Sequence, residues 1–119
     1  MPSYSRQLLS GSTSGRPIPV VATATPGTLI HTAVAGAIPN ADEIYLFASN
    51  VTAAAATLTI EWGGVTDPGD HIVKSYSIPA YSAPIPIVDG EVLNGGLIVR
   101  AFSGTASAIG ITGQVSRIQ

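Results

Sequence analysis

Metal binding is the first chemistry to consider, because the chain has two histidines and seven acidic residues but no cysteine. A zinc site would need both histidines, His31 and His71, together with a carboxylate, since zinc takes three or four protein ligands. The spacing of the two histidines matches no such ligand pattern. His31 also lies inside a predicted strand, where a packed or partner-facing side chain is commoner than a ligand. We therefore expect no zinc site.

Two small acidic groups are the candidates for calcium: Asp67 with Asp70, and Asp89 with Glu91. Calcium takes six or more oxygen ligands, which dedicated loops supply from closely alternating carboxylates. The segment from Asp67 to Asp70 (DPGD) lacks that alternation and has the composition of a tight turn. The sequence therefore predicts turns at both places, and neither a metal ion nor a cofactor.

Nucleophilic and acid–base catalysis both lack a grouped set of residues. The run Gly11–Gly15 has the outline of a nucleophile elbow, but its central residue is Thr13, with no strand before it and no helix after it. Glycoside hydrolysis needs paired carboxylates, drawn here from Glu43, Glu61 or Glu91 with an aspartate. Glu61 falls on the outward face of its predicted strand, where a carboxylate is usually just solvated. We therefore expect that the protein is not an enzyme.

Short β segments carry these candidate residues. The chain has 13 glycines and 9 prolines, which favour many short segments over long helices. Eight segments of β-forming residues lie between turn signals at a spacing of roughly a dozen residues. This pattern predicts an all-β fold, an antiparallel β-sandwich or jelly-roll-like domain of about eight strands. The predicted strands are Pro17–Ala24, Thr28–Val34, Asp42–Asn50, Thr57–Trp62, His71–Ile78, Ala83–Val88, Leu97–Phe102 and Ala108–Ile118.

Local patterns place three of these strands. Asp42–Asn50 is apolar on both faces, which indicates a central strand or one covered by a partner. Pro84 and Pro86 confine Ala83–Val88 to a sheet edge or to the approach to a strand, because proline cannot donate to the ladder. The segment Asp89–Glu91 should then turn the chain. Thr57–Trp62 alternates cleanly: Leu58, Ile60 and Trp62 are expected to face in, and Thr57, Thr59 and Glu61 to face out.

Residues 1–16 are predicted to form a flexible N-terminal arm ahead of a single sandwich domain over residues 17–119. The arm is rich in serine, glycine and threonine, which is typical of flexible chain. An extended arm can also add main-chain hydrogen bonds to the edge of a sheet. The arm residues predicted to contact another protein are Tyr4, Arg6, Leu8, Leu9 and Arg16.

The chain is poor in charge. Lysine, arginine, aspartate and glutamate make up 10% of its residues, against about 25% in a typical soluble domain. The net charge is −2 and the arginines are scattered, which argues against nucleic acid and membranes as partners because both need clustered cations. Prolines in the longest uncharged run, Pro17–Ala41, exclude a membrane helix there. So little charge suggests a surface that is partly covered by other subunits.

Four stretches carry a resemblance to a known family: Tyr4–Arg16 (YSRQLLSGSTSGR), Pro26–Ala33 (PGTLIHTA), Asp42–Leu46 (DEIYL) and Thr57–Gly64 (TLTIEWGG). They resemble small virion proteins of tailed bacteriophages, the capsid decoration or cement proteins. The resemblance covers most of the chain and includes no catalytic signature. It implies a β-rich homotrimer on the outside of the head, which bridges neighbouring subunits of the major capsid protein and stabilises the shell.

The expected function is therefore that of a structural virion protein on the capsid exterior, synthesised in the host cytoplasm without a secretory signal. Its expected partners are the major capsid protein and itself, with no nucleic acid and no membrane. The family has no active site to carry over, so the expected capsid or subunit interface is the set of arm residues given above. The alternative is a receptor- or glycan-binding module of a phage tail or fibre. Its aromatic contacts would come from Trp62, Tyr45, Tyr76 and Tyr81, although Trp62 is in phase with core residues.

Overall fold

The computed structural model of the protein describes residues 3–119, so Met1 and Pro2 of the expected arm lie outside the described residues. The described residues form nine β-strands and no α-helix. The strands are β1 (Tyr4–Gln7), β2 (Ile18–Pro19), β3 (Thr28–Thr32), β4 (Ala41–Asn50), β5 (Ala56–Trp62), β6 (His71–Ile78), β7 (Ser82–Leu93), β8 (Ile98–Ser103) and β9 (Ile109–Ile118). The prediction of an all-β antiparallel sandwich is confirmed.

The strands form nested antiparallel pairs, as if β2–β5 and β6–β9 were the two arms of one long hairpin that folds back on itself. β5 pairs with β6, β4 with β7, β3 with β8 and β2 with β9, all antiparallel. Folding back then places β9 beside β4 and β8 beside β5. The result is two sheets, which we call sheet A (order β1-β9-β4-β7, with β2 also on β9) and sheet B (order β3-β8-β5-β6). This nested pairing is the topology of a jelly roll.

The core lies between the two sheets and follows the alternation of the strands. In β4 the side chains of Ile44, Leu46 and Ala48 are buried, and their neighbours on the other face are partly exposed. β4 lies between β9 and β7, as predicted for a central strand, and the proline-bearing β7 forms an edge, as predicted. Because alternate side chains point to opposite faces, one face of each sheet supplies the core. Its largest fully buried apolar residues are Ile30, Ile44, Leu46, Leu58, Ile60, Ile78, Ile109 and Ile111.

Much of the expected N-terminal arm is part of the sandwich. β1 pairs with β9 in an unbroken antiparallel register, and Leu9 is only 2% exposed within the core cluster. The amide of Gly11 donates to the carbonyl of Ile30, 2.9 Å away. A Cβ on Gly11 would lie 2.5 Å from the carbonyl oxygen of Leu29, so glycine is what allows this close approach. Residues 8–11 therefore cross from the edge of sheet A to the edge of sheet B and close one side of the core.

Two predicted boundaries differ from the structure. The strand predicted at Pro17–Ala24 is reduced to β2, because Val21 and Ala22 donate their amides to the hydroxyl of Thr28 rather than to a neighbouring strand. The turn predicted at Asp89–Glu91 is wrong, because β7 continues through it to Leu93. Gly90 is the extra residue of a β-bulge opposite Ile44 and Tyr45, with φ of 85°. Glycine favours that conformation, so the strand bends without ending.

Substitutions of the adjacent residues Leu8 and Leu9 test whether the arm is part of the core. Leu9→Ala is expected to cost about 2–5 kcal/mol of unfolding free energy, because it removes a buried side chain and leaves a cavity. Leu8→Ala is the matched control, since Leu8 is 56% exposed, and its effect should stay within about 0.5 kcal/mol. Urea denaturation of both variants measures the difference. Equal and small effects would mean that residues 8–11 are detached from the domain.

Candidate functional site

Three of the predicted interface residues lie on the surface in an alternating row. Tyr4 is 74% exposed, Leu8 is 56% exposed, and Arg6 between them is also exposed. Arg16 is exposed as well, beyond the loop that follows Gly11. Leu9 is the exception, because its burial in the core removes it from any contact with a partner. The prediction of Leu9 as an interface residue is therefore corrected.

The outer face of sheet A continues the surface that Tyr4 and Arg6 begin. Tyr4 lies opposite Ile118 of β9, and Arg6 lies opposite Ser116. No strand or loop of the described residues packs across the middle of this face, where Glu43, Tyr45 and Phe47 of β4 stay partly exposed. At one end lies a shallow groove of about 560 Å³ with a mainly apolar lining. It is lined by Tyr4, Ile38, Pro39, Ala41, Glu43, Val92 and Ile118.

Apolar side chains outnumber charges on the exposed surface. Among residues 3–119, twelve large apolar or tyrosine side chains are exposed, of which Tyr4, Ile38, Val51 and Tyr81 are more than 70% exposed. The exposed charged residues are Arg6, Arg16, Asp67, Lys74, Asp89 and Glu91, and two of these, Asp67 and Lys74, pair with each other at 2.8 Å. Three of the twelve, Tyr4, Ile38 and Val92, line the groove described above, and it is contiguous apolar surface that marks sites of interaction with other proteins.

A buried ionic cluster lies inside the sandwich, next to the arm. The carboxylate of Asp42 is fully buried and accepts two hydrogen bonds from Arg117, at 2.8 and 3.0 Å. It also accepts a hydrogen bond from the amide of Val34 at 3.1 Å and lies 2.8 Å from Nε2 of His31. The amide of Ser10 in turn donates to Nδ1 of His31 at 3.0 Å. The cluster therefore joins β4 and β9 of sheet A to β3 of sheet B and to the arm.

The hydrogen bonds assign the protonation state of His31. Nδ1 accepts from the Ser10 amide, so it carries no proton, and Nε2 donates its proton to Asp42. Burial lowers the pKa of His31 below its ordinary value of 6.5, against the opposing influence of Asp42. Burial by itself would raise the pKa of Asp42, but the hydrogen bonds from Arg117 and His31 outweigh it and hold the pKa below 3.8. A neutral imidazole thus lies beside an ionised carboxylate that Arg117 neutralises.

This cluster contains a serine, a histidine and an aspartate, but it is not a catalytic triad. In a triad the serine hydroxyl is hydrogen-bonded to the imidazole. Here the Ser10 hydroxyl accepts from the amide of Thr32 at 2.6 Å, and only the Ser10 amide reaches His31. His31 is 1% exposed and Asp42 is not exposed at all, so no substrate reaches either side chain. The arrangement holds the fold together.

A second buried carboxylate corrects the prediction for β5. Glu61, expected on the solvated face, is fully buried. It accepts hydrogen bonds from the amide of Gly27 at 2.7 Å and from the hydroxyl of Thr25 at 2.5 Å. The loop between β2 and β3 therefore covers the outer face of β5 at this point. Thr59 on the same face is also buried, and it accepts a hydrogen bond from the Ser75 amide.

His71 lies between this carboxylate and the loop before β6. Its Nε2 is 4.0 Å from Glu61, and its Nδ1 is 3.4 Å from Asp67. Neither ring nitrogen has a hydrogen bond of good geometry among the described residues, and the ring meets the edge of Phe102. Because the two carboxylates face different nitrogens of the ring, they do not converge on one point. No group of three or more metal-ligating side chains occurs in the part of the chain that the structure describes.

Asp67 and Asp70, one of the two acidic groups considered for calcium, take part in a turn and an ion pair. Asp70 accepts a hydrogen bond from the amide of Thr66 at 2.9 Å. The ammonium of Lys74 beside Asp67 lowers the pKa of that carboxyl from its ordinary value. Trp62, which ends β5, is partly buried and packs against the core.

Sequence reasoning missed the Asp42 cluster although a signal was present. Asp42 is in phase with the buried residues Ile44 and Leu46 of β4, and Arg117 is in phase with Ile111 and Val115 of β9. Charged residues of opposite sign on the inward phase of two neighbouring strands predict a buried ion pair. Glu61 gave no such signal, because it is out of phase with the core residues of β5.

Comparisons with known proteins give no match: no protein-family model, no curated protein and no solved structure is significantly similar to the chain. No helix in the described part of the chain is long and apolar enough to cross a membrane.

The His31 cluster is expected to make the protein less stable in acid. Between the lowered pKa of His31 in the folded chain and its ordinary value of 6.5, the unfolded chain binds a proton that the folded chain does not. Acidification through this window therefore favours unfolding, with a slope of at most about 1.4 kcal/mol per pH unit for one proton. Below 3.8, protonation of Asp42 adds to the loss in the same direction.

Denaturant titrations of the wild type and of His31→Gln between pH 7.5 and 5 measure this contribution. All other titrating groups are common to both chains, so the difference in slope reports His31. We expect His31→Gln to be less stable at pH 7.5 and to lose less stability on acidification. Parallel slopes would show that His31 is protonated equally in the folded and unfolded chains.

Proposed function

We propose that the protein is a structural virion subunit, a decoration protein of a tailed-phage head. It binds the outside of the head as a homotrimer, and it bridges neighbouring subunits of the major capsid protein and stabilises the shell. The resemblance of its sequence to that class supports the proposal. The jelly roll adds support at the level of fold, because viral capsid domains commonly use this architecture.

The observation that carries the proposal is the apolar groove at one end of the outer face of sheet A, beside the exposed side chains of Tyr4 and Leu8. The buried His31, Asp42 and Glu61 are held by contacts within the chain. The exposed surface instead offers Tyr4, Leu8 and the groove beside Ile38. A protein that binds a broad surface of another protein needs such a face.

Stabilisation of a shell by such a subunit follows from mass action. A ligand that binds only the assembled shell stabilises it in proportion to its binding free energy. A homotrimer that engages three capsid sites at once gains avidity over a single contact. Within each subunit we assign the shell contact to Tyr4, Arg6 and Leu8 together with the apolar groove. Arg16 lies at the margin of this surface.

A glycan- or receptor-binding module of a tail or fibre is the second candidate, because lectin domains also use the jelly roll. Tyr76 and Tyr81 are exposed, at 50% and 71%, and could stack on sugar rings. Trp62 has less ring surface available for a sugar, since it packs against the core. A glycan array with the purified protein decides this candidate: saturable binding to a defined sugar would favour it over the decoration role.

Co-sedimentation with expanded heads made of the major capsid protein from the same genome tests the main proposal. The wild type is expected to pellet with the heads at a saturating ratio. Removing residues 1–16 is not a clean test, because it would also remove Leu9 from the core and Ser10 from His31. The variant Tyr4→Ala with Leu8→Ala instead removes only exposed side chains and should lower the affinity at least tenfold.

Tyr81→Ala is the matched control for this experiment. Tyr81 is as exposed as Tyr4, but it precedes β7 at the end of β4 that holds Asn50, whereas Tyr4 lies near the end that holds Ala41. Tyr81→Ala should bind heads like the wild type. Wild-type protein that stays in the supernatant at all ratios would refute the proposed function. Equal losses for the two variants would refute the assignment of the contact surface.

A further inference from the structure

The sandwich has five outer strands, of which β2 has only two residues and ends in Pro19. Three of the other four are blocked against pairing with another chain. β7 carries Pro84, Pro86 and the Gly90 bulge. β6 has two register shifts against β5, an exposed Lys74 and a positive φ at Ser75. β3 is irregular and is covered by Ser10 and Gly11, which bond to its backbone. Prolines, bulges, lysines and covering loops are the usual means of protecting an exposed edge.

β1 is the outer strand without such protection. Its register against β9 is regular from Tyr4 to Gln7, and its residues are exposed or partly exposed. It is the terminal strand of sheet A, and no other strand of residues 3–119 lies on its outer side. A regular, exposed edge is a template for a further β-strand.

The hydrogen bonds at the end of β1 show which backbone groups point outward. Ser3 and Gln119 exchange both of their main-chain hydrogen bonds, at 2.8 and 3.1 Å. In an antiparallel pair such residues alternate with residues whose amide and carbonyl point away from the neighbour. Ser5 and Gln7 therefore bond to β9, while the amides and carbonyls of Tyr4 and Arg6 face the open edge.

We propose that this edge pairs with β1 of a second copy of the chain, in antiparallel register about a two-fold axis at Ser5. Tyr4 then lies opposite Arg6 of the second copy, and each pair exchanges both main-chain hydrogen bonds. The Tyr4 ring and the Arg6 guanidinium share one face of the joined sheet, where they make a cation–π contact. The two A sheets become one continuous sheet across the contact.

The alternative registers that keep both sandwiches on the same side are poorer. A shift in one direction sets Arg6 against Arg6 of the second copy, and like charges directly opposite each other destabilise a strand pair. A shift in the other direction sets Tyr4 against Tyr4 of the second copy and leaves Arg6 with no opposite residue in β1. The sequence of β1 is thus self-complementary in one register.

The contact is small, so it is expected to be weak between free molecules and stronger where copies are concentrated. A two-fold contact cannot close a trimer. On a shell it would join subunits of neighbouring trimers, but the pairing itself does not depend on the proposed function and is tested in solution without heads.

Cysteine cross-linking tests the register directly, because the chain has no cysteine of its own. Ser5 lies opposite Ser5 of the second copy as a pair without hydrogen bonds between them, at a Cα separation of about 4.5 Å, which a disulfide can span. Ser5→Cys is therefore expected to form a covalent dimer under mild oxidation at high protein concentration. Gln7→Cys is the control: Gln7 lies opposite Ser3 of the second copy, so this variant should form no covalent dimer.

Both outcomes of the cross-linking experiment are decisive. A Ser5→Cys dimer with little Gln7→Cys dimer supports the two-fold register. Absence of a Ser5→Cys dimer, or equal cross-linking of both variants as expected of random collision, overturns it. Non-reducing gel electrophoresis and intact mass give the readout.

Sedimentation velocity over a concentration series tests the role of the backbone. Tyr4→Pro removes an outward amide but leaves the β1 bonds to β9, whereas Tyr4→Ala removes the ring and keeps the amide. We expect Tyr4→Pro to weaken self-association about tenfold or more, through the loss of a hydrogen bond from each copy, and Tyr4→Ala to weaken it less. A wild type whose sedimentation coefficient does not rise with concentration up to the millimolar range, or a Tyr4→Pro variant that associates like the wild type, overturns the proposal.

Discussion

The buried carboxylate of Asp42 is the constraint that fixes the arrangement of the sandwich. A charge without water must be paired and hydrogen-bonded, or it costs several kcal/mol. Asp42 obtains its partners from Arg117 on β9, His31 on β3 and the amide of Val34. These residues belong to both sheets, so the sheets can satisfy Asp42 only in one relative position. An apolar core alone would tolerate small slips that this cluster does not.

The same cluster sets the course of the N-terminal segment. Nε2 of His31 donates a hydrogen bond to Asp42. Nδ1 is therefore free to accept one, and it accepts from the amide of Ser10. Leu9 and Gly11 on either side of Ser10 are held by the core and by the backbone of β3. Anchoring at residues 9–11 leaves β1 as a short strand on β9 whose side chains Tyr4 and Arg6 face outward. One segment thus closes the core with its second half and forms the open edge of sheet A with its first half.

Sequence patterns predicted what depends on local chemistry. The turn residues and alternation located the strands of the sandwich, and the prolines of β7 placed that strand at an edge. The patterns failed where a distant segment decides the environment. Glu61 is buried by the loop that carries Thr25 and Gly27, and the arm is ordered by contacts to β3 and β9. The composition of the arm predicted flexibility, and the alternation of β5 predicted that Glu61 is solvated. Contacts with residues distant in sequence order the arm and bury Glu61 instead.

A surface with few charges carries a risk of indiscriminate association, since charge normally keeps protein surfaces apart. The edges of this sandwich limit that risk. With β3, β6 and β7 blocked and β2 only two residues long, the edge open to strand pairing is that of β1. Because the proposed two-fold pairing of β1 with itself occupies the free edge of both strands, the joined sheet ends at two copies and cannot grow into a continuous β-fibre, as a head-to-tail contact can. The low charge of the chain and the protection of its other edges are therefore consistent with each other: the surface favours contact with other proteins, and the edges restrict contact between sheets to one register.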